Sequence, residues 1–295
     1  MKPLAQNRPE PKLCHSFTPY AVFGYDRLGL YLDHADWPVP IEQLQATCRS
    51  IEIAPANIPY HARWKQQIQL FQPTPTALLI LDKALKGGVT AAISYAEIAF
   101  DVLHPDRQAV KAIRNSFLAS VKLHYGRDEV VRDQSTYYFH RRTTGTTRTP
   151  KNLVLYADKP SKLENRLHYC GGLPCSHVEM RISGSDSLEK EGVVSLQDLI
   201  RFNHLEFWER NLRLFRVPTQ PTKLGRILAL AAGASIAVSG TALRKRANLW
   251  REQHSIVHGR SANFVLHNAL LASPKVAQKL PGMTFDEWLD EALAQ

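Results

Sequence analysis

Alternation of apolar and polar positions is clearest over Ala91–Leu103, AAISYAEIAFDVL. With a period of two, Ala96, Ile98, Phe100 and Val102 fall on one side of a strand and Tyr95, Glu97, Ala99 and Asp101 on the other. The first side is wholly apolar and is predicted to be core. The second carries two acids, which form either a solvated outer face or part of a divalent-cation site. Residues four apart on a strand are separated by ~13 Å. Glu97 and Asp101 are therefore not expected to share one ion without a bulge.

Shorter runs extend the pattern. Thr136–His140, Leu153–Tyr156 and Val178–Ile182 read as strands, bounded by Gly, Pro, Thr or Asn. Val22–Leu32 reads as a strand or hairpin around Gly24 and Gly29. Arg63–Phe71 reads as a strand with Arg63, Lys65 and Gln67 on one face, either facing DNA or simply solvated. Helical patterns occupy Ile41–Ser50, Thr76–Lys86 (after Pro73 and Pro75, ended by Gly87–Gly88) and Asp106–Leu123, whose inner stripe is Val110, Ile113, Phe117 and Val121. Ser195 with Asp198 marks a capping pair. A single helix is predicted from there to about Arg216, with Leu199, Phe202, Leu205, Trp208, Leu212 and Phe215 as its stripe. Residues 222–260 are helical again, and Thr284–Ala294 forms a short acidic helix. The expected class is α+β: an antiparallel sheet with flanking helices and a helical C-terminal region. The expected division is an arm at 1–20, a sheet domain at 21–185 and a basic helical region at 186–295.

Composition narrows the partners. A hydrophobic content of 44% and a charged content of 22% are ordinary for a globular chain. The formal net charge of +10, with a pI near 9.5, favours a polyanion: nucleic acid first, an anionic membrane surface second. The charge is concentrated. Residues 138–166 hold seven Lys/Arg against two acids, and Arg244-Lys245-Arg246 is the densest basic run of a 222–260 region with seven Lys/Arg against one Glu. The apolar stretch Ile227–Leu243 is short and rich in Ala, Gly and Ser, and reads as a buried helix rather than a membrane span. The four cysteines, Cys14, Cys48, Cys170 and Cys175, do not make a disulfide framework. Zinc at Cys170 and Cys175 would need two further ligands that the spacing does not offer. Reduced thiols and a cytoplasmic location are expected, and the polar N-terminus does not read as a signal peptide.

The central chemistry is Tyr156-Ala-Asp-Lys159, just past a strand. A tyrosine that attacks a phosphodiester becomes covalently joined to the DNA and preserves the bond energy for religation. A free phenol, with a pKa of ~10, needs a nearby cation or base. Lys159, Arg141 or Arg142 would stabilise the phenolate or the phosphorane. A divalent ion on carboxylates would polarise the phosphate. Tyr137 and Tyr138 are rival nucleophiles on the neighbouring strand.

Three blocks taken together resemble the replication initiation factors of rolling-circle plasmids and filamentous phages. They are SYAEIAFDV, TYYFHRRTTG…KNLVLYADKPSKLE and HVEMRIS, followed by the helical SLQDLIRFNHLEFW, covering about residues 88–216. The resemblance implies a nickase-like fold on a curved antiparallel sheet, and a metal-assisted tyrosine that cuts one strand at an origin. By position it implies Tyr156 as nucleophile, Lys159 as its cationic neighbour, and Asp101, Glu179 and Glu97 as ligands of Mg2+ or Mn2+. Arg141, Arg142, Arg148, Lys151, Arg244, Lys245 and Arg246 are the expected DNA contacts. Two departures stand out: His140-Arg141-Arg142 where relatives tend to have Gly-Ser-Arg, and no His-hydrophobic-His pair, so carboxylates are expected to hold the metal. The implied partners are double- and single-stranded origin DNA, a host helicase and a second copy of the chain, without a membrane. Three other readings remain at this level: a non-enzymatic DNA-binding regulator, a metal-dependent nuclease that uses water, and an interfacial membrane protein anchored by residues 227–243.

Overall fold

The computed structural model describes residues 20–35, 39–56, 62–123, 129–139, 151–157, 159–163, 172–216, 220–231, 239–254, 264–266 and 278–294. The expected N-terminal arm, and Cys14 and Cys170, lie outside the described residues.

The α+β class is found. β1 (Tyr20–Leu32), β2 (Ser50–Pro55), β3 (Gln66–Phe71), β4 (Ala91–Leu103), β6 (Glu129–Asp133), β7 (Thr136–Phe139), β8 (Lys151–Tyr156), β9 (Cys175–Ser183) and β11 (Phe264–Leu266) form one sheet. Its order is β11-β6-β7-β8-β9-β4-β1-β3-β2, and the pairings are antiparallel. β4 lies between β1 and β9, as expected of its apolar face. Ala96, Ile98, Phe100 and Val102 are fully buried.

Helices cover that face. α3 (Arg107–Ser120), α6 (His204–Asn211) and α9 (Phe285–Leu293) deliver Phe117, Trp208, Phe285 and Trp288 around Phe100. The Phe100 ring meets Trp208 edge-on at 4.9 Å and Phe285 at 5.1 Å. Full burial of one such side chain stabilises by about 1.5–3 kcal/mol, and edge-to-face ring pairs add about 0.5–1.5 kcal/mol. α2 (Pro75–Leu85) has Pro75 at its first turn and Thr74 accepting from the Ala77 amide. The remaining helices are α1 (Ile41–Gln45), α4 (Ser185–Glu189), α5 (Leu196–Ile200), α7 (Pro221–Ala231) and α8 (Gly240–His254). No helix among the described residues is long and apolar enough to cross a membrane.

Several elements differ from expectation. Val22–Leu32 is one long strand, not a hairpin. The strand expected from Arg63 begins at Gln66, so Arg63 and Lys65 precede it. The helix expected over Asp106–Leu123 stops at Ser120, and Val121–Leu123 become β5. The single helix expected to Arg216 is α5, then α6, then β10 (Leu212–Phe215). Asn203 interrupts it by capping a new helix through the Glu206 amide. β5, β10 and β12 (Gly282–Met283) pair as a second sheet, which is the tertiary partner that converts two helix ends into strands. The Ser195–Asp198 capping box is present.

The strand pairing positions the site. β1 pairs with β4 through a bulge between Tyr25 and Arg27. Before it, Tyr25 points to the core; after it, Leu28, Leu30 and Leu32 do. A bulge inserts one unpaired residue and re-aims the strand. Here that residue is Asp26, which shares with Arg27 the sheet face opposite the core.

Candidate metal centre

The face opposite the core is itself buried at its centre. Glu97 is 3% exposed, Asp101 0%, His177 1% and Glu179 1%. The solvated alternative for the acidic side of β4 is thus overturned. The cross-strand register aligns Asp101 with His177 and His177 with Tyr156, on β4, β9 and β8. Glu179 stands two residues along β9, on the same side.

Asp26, His177 and Glu179 could hold a metal ion: one ligand atom from each lies within 4.8 Å of the others. His177 is the hub. Its Nδ1 is 2.5 Å from Asp101 Oδ1, and its Nε2 is 3.1 Å from Glu179 Oε2. Burial opposes charge on the ring, but Asp101 and then Glu179 outweigh it and push the imidazole up from 6.5 to about 10. The two carboxylates thus favour a proton on both ring nitrogens, and a cation held by this ring would displace one of them. Burial alone would raise Glu179, but His177, Arg181 and a hydrogen bond from Asp26 hold it below the usual carboxylate range. Asp26 is raised, chiefly by burial, with Glu179 adding to the shift. The two carboxyl groups are thus pushed in opposite directions, Asp26 towards its neutral form by burial and Glu179 towards its charged form by His177 and Arg181.

The surroundings fix these groups. The Gln72 side-chain amide donates to both Asp26 Oδ1 and the Asp26 carbonyl, the latter at 2.8 Å. Gln72 adopts φ +42°, a sparsely populated conformation for a non-glycine residue, which its Asp26 contacts help to hold. Ser161 Oγ donates to Asp101 at 2.5 Å. The Ser161 segment is held against β9's approach by Ser161 N–H to Leu173 O at 2.8 Å. Gly172 packs there so closely that a Cβ would lie 2.7 Å from the Ser161 carbonyl oxygen.

Tyr156 stacks on His177, with centroids 4.4 Å apart and planes 21° apart. Lys159 Nζ is 5.4 Å from the Tyr156 ring centroid. Tyr156 is 8% exposed. Burial first, then Asp26, Glu179 and Asp101, raise its phenol well above the ordinary value of 10.

Of the expected ligands, Glu179 lies in the cluster. Asp101 touches it through His177 Nδ1, as an orienting carboxylate does in carboxylate–histidine–metal arrangements. Glu97 is engaged elsewhere. It accepts from Arg27 at 2.6 Å and from Tyr95 at 2.5 Å, and Arg181 Nε stands 3.3 Å away. Asp26 and His177 were not among the expected residues, and the cluster that could hold a metal adds an imidazole to the carboxylates expected there. His177 sits two residues before Glu179 on an alternating strand, a signal that was available. Asp26 was hidden by the bulge.

The other candidates divide. Tyr137 belongs to the core face, and Tyr138 is half-buried opposite Val154 on the site face. Lys151 is held by Glu191 and, at 3.0 Å, by Asn211. Arg244, Lys245 and Arg246 are exposed on α8. Arg141, Arg142 and Arg148 lie outside the described residues.

Two carboxylate oxygens and one imidazole nitrogen form a mixed donor set. Oxygen suits Mg2+ and Mn2+, and imidazole favours the later transition ions, so the set fits Mn2+ at least as well as Mg2+.

No protein-family model matches the chain, and no curated protein sequence matches it. Among solved structures, the rolling circle replication initiator protein from Geobacillus stearothermophilus aligns with a TM-score of 0.38 at 9% identity, over 70% of this chain and 91% of that one. A likeness of that depth leaves the function to be read from the site.

Proposed function

We propose that this chain is a rolling-circle replication initiator that cuts one DNA strand with Tyr156. The observation that carries the reading is the stacking of Tyr156 on His177, which sets a phenol against a buried cluster able to hold a cation. Asp26, His177 and Glu179 would hold a divalent ion, which when bound polarises the scissile phosphate and offsets the negative field on the phenol.

The residues then have separate tasks. Tyr156 Oη bonds to phosphorus as the P–O3′ bond breaks. The phenol loses its proton, the departing 3′ oxygen gains one, and a 5′-phosphotyrosyl link remains for later rejoining. Asp101 fixes the His177 ring, and Ser161 fixes Asp101. Lys159 supplies positive charge beside the Tyr156 ring. The exposed Arg244, Lys245 and Arg246 support backbone contact with double- or single-stranded origin DNA. In this reading the protein acts in the cytoplasm, the basic helices after 186 add DNA affinity, and a host helicase and a second copy of the chain are further partners.

A second reading has its own support. The buried phenol, surrounded by Asp26, Glu179 and Asp101, is a reluctant nucleophile at rest. That favours a metal-dependent nuclease in which water attacks.

The test is a covalent-adduct gel with Mg2+ or Mn2+ and labelled single-stranded DNA from the element's own origin. Wild type is expected to give a denaturation-resistant band that Tyr156→Phe lacks. A band that survives in Tyr156→Phe moves the nucleophile to another tyrosine, Tyr138 being the one on the same face. Metal-dependent cutting without a band favours the water-using nuclease. Binding without cutting favours a non-enzymatic regulator.

A further inference from the structure

One row of side chains crosses the site face away from the metal cluster. The register aligns Asn152, Arg181, Glu97, Arg27 and Phe71 on β8, β9, β4, β1 and β3. Arg181 joins this row to the cluster, since its Nη2 lies 2.5 Å from Glu179 Oε1. Glu97 stands between the two guanidinium groups and contacts both.

These arginines retain donor capacity. Arg27 and Arg181 side chains are 32% and 35% exposed, whereas Glu97 and Glu179 beneath them are 4% and 1% exposed. The carboxylates therefore anchor the guanidinium groups from below while an edge of each reaches the surface. Arg27 uses Nη2 for Glu97 and Tyr95, the latter at 3.3 Å. A guanidinium offers five donors, and a planar edge matches phosphate oxygens.

A second feature lies on the same face further along β1. Tyr31, four residues from Arg27 and so ~13 Å along the strand, stacks on Trp64 with centroids 6.5 Å apart and planes 30° apart. The Arg63 guanidinium carbon is 4.9 Å from the Trp64 ring centroid. Trp64 and Tyr31 are only half-buried. Between the two features the strand surface is polar: Gln69 opposes Gly29, and Gln67 opposes Tyr31.

We infer that a single strand of nucleic acid lies along β1, with phosphates seated on Arg27 and Arg181 and a base stacked on the Trp64–Tyr31 platform. The inference deepens the proposed function and rests on it for the ligand being DNA. A single strand fits because its bases are free to stack on an aromatic face, which a duplex withholds. The arrangement hands the chain from Trp64, past Arg27, to Arg181 at the edge of the metal cluster.

The experiment measures binding of a short labelled oligothymidylate by anisotropy across a salt series. Wild type is compared with Arg27→Gln/Glu97→Gln, which removes the cation and its buried counter-charge together, and with Trp64→Ala. Thermal melts and Mn2+ titration confirm that each variant is folded with its cluster intact. The arginine variant is expected to reduce the slope of log K against log salt by about 0.7, one phosphate contact on a single strand. Trp64→Ala is expected to weaken binding by about 5- to 150-fold, the loss of one base stack, with the slope unchanged. An unchanged slope in the arginine variant, or unchanged affinity in Trp64→Ala, overturns the inference. Because binding is read without cleavage, a wild type that makes no covalent adduct yet shows both responses defeats the nicking reading and leaves the strand path standing.

Discussion

At the scale of single residues, contact partners separate carboxylates that the sequence treats alike. The resemblance offered Glu97, Asp101 and Glu179 together as metal candidates, and the structure gives them different neighbours. Asp101 holds His177 Nδ1, while Glu97 is taken up by two guanidinium groups and a phenol. Asp101→Asn should therefore lower Mn2+ affinity by about 10- to 100-fold, the usual effect of losing a carboxylate behind a ligating histidine. Glu97→Gln should leave it unchanged. Isothermal titration of both variants checks this, and equal losses would return Glu97 to the ligand set. A fourth acid has a structural task. Glu191 gathers Lys151, Arg210 and Asn211. Burial would raise its carboxyl, but the hydrogen bonds from Lys151 and Asn211 outweigh it and hold it below 4.5. Its stabilisation is thus fully present above that ordinary value and is lost as pH falls through the lower, folded-state value. Glu191→Gln should cost about 1.5–3 kcal/mol at neutral pH, and the difference in urea midpoint from wild type should shrink below about pH 4.5.

At the scale of elements, strands with strict alternation were legible and those with interruptions were not. The boundaries of β4 were readable because every second residue is apolar and flanking glycine and proline stop the pattern. β1 read as a strand or hairpin because Gly24 and Gly29 interrupt it, and its bulge shifts the apolar phase between Tyr25 and Leu28, so nothing in the alternation singled out Asp26. β5 and β10 were invisible because each continues the stripe of a helix, and their strand state depends on pairing with each other. The site inherits this unevenness: Glu179 and Asp101 lie on regular strands, whereas Asp26 needed the three-dimensional register. The α7–α8 pair carries a prediction of its own. A Cβ on Gly225 would sit 2.0 Å from the Leu243 carbonyl oxygen, so the helices touch backbone to backbone. Gly225→Ala should force them apart and displace Arg244, Lys245 and Arg246. DNA affinity should fall and α8 should become protease-sensitive, while Mn2+ binding stays as in wild type. Unchanged DNA affinity in a variant with a separated helix pair would remove α8 from the interface.

At the scale of the whole molecule, one buried cluster runs from Tyr25 and Leu28 on β1 to Trp288 and Ala292 on α9. It lies on one side of the main sheet, and the polar site lies on the other. The side chains of β4 and β9 that face the helices therefore set the alignment of the strands that carry Asp101, His177 and Glu179. Trp288→Ala should cost about 3–5 kcal/mol, the usual range for removing a fully buried aromatic ring. It should also weaken Mn2+ binding, although Trp288 is on the far side of the sheet. Urea unfolding followed by tryptophan emission, with a parallel metal titration, tests both. A stability loss with unaltered metal affinity would show that the two faces are independent.

The late position of α9 in the chain has a consequence during synthesis. Phe100, Phe117 and Trp208 are made well before Phe285 and Trp288, the rings that cover them. At about 5–20 residues per second, the ribosome leaves those earlier rings without their lid for on the order of ten seconds. Throughout that interval the nascent chain presents an oily surface to chaperones and to neighbouring nascent chains. Slowing translation between residues 216 and 284 with rare codons should raise the aggregated fraction without altering the sequence of the product.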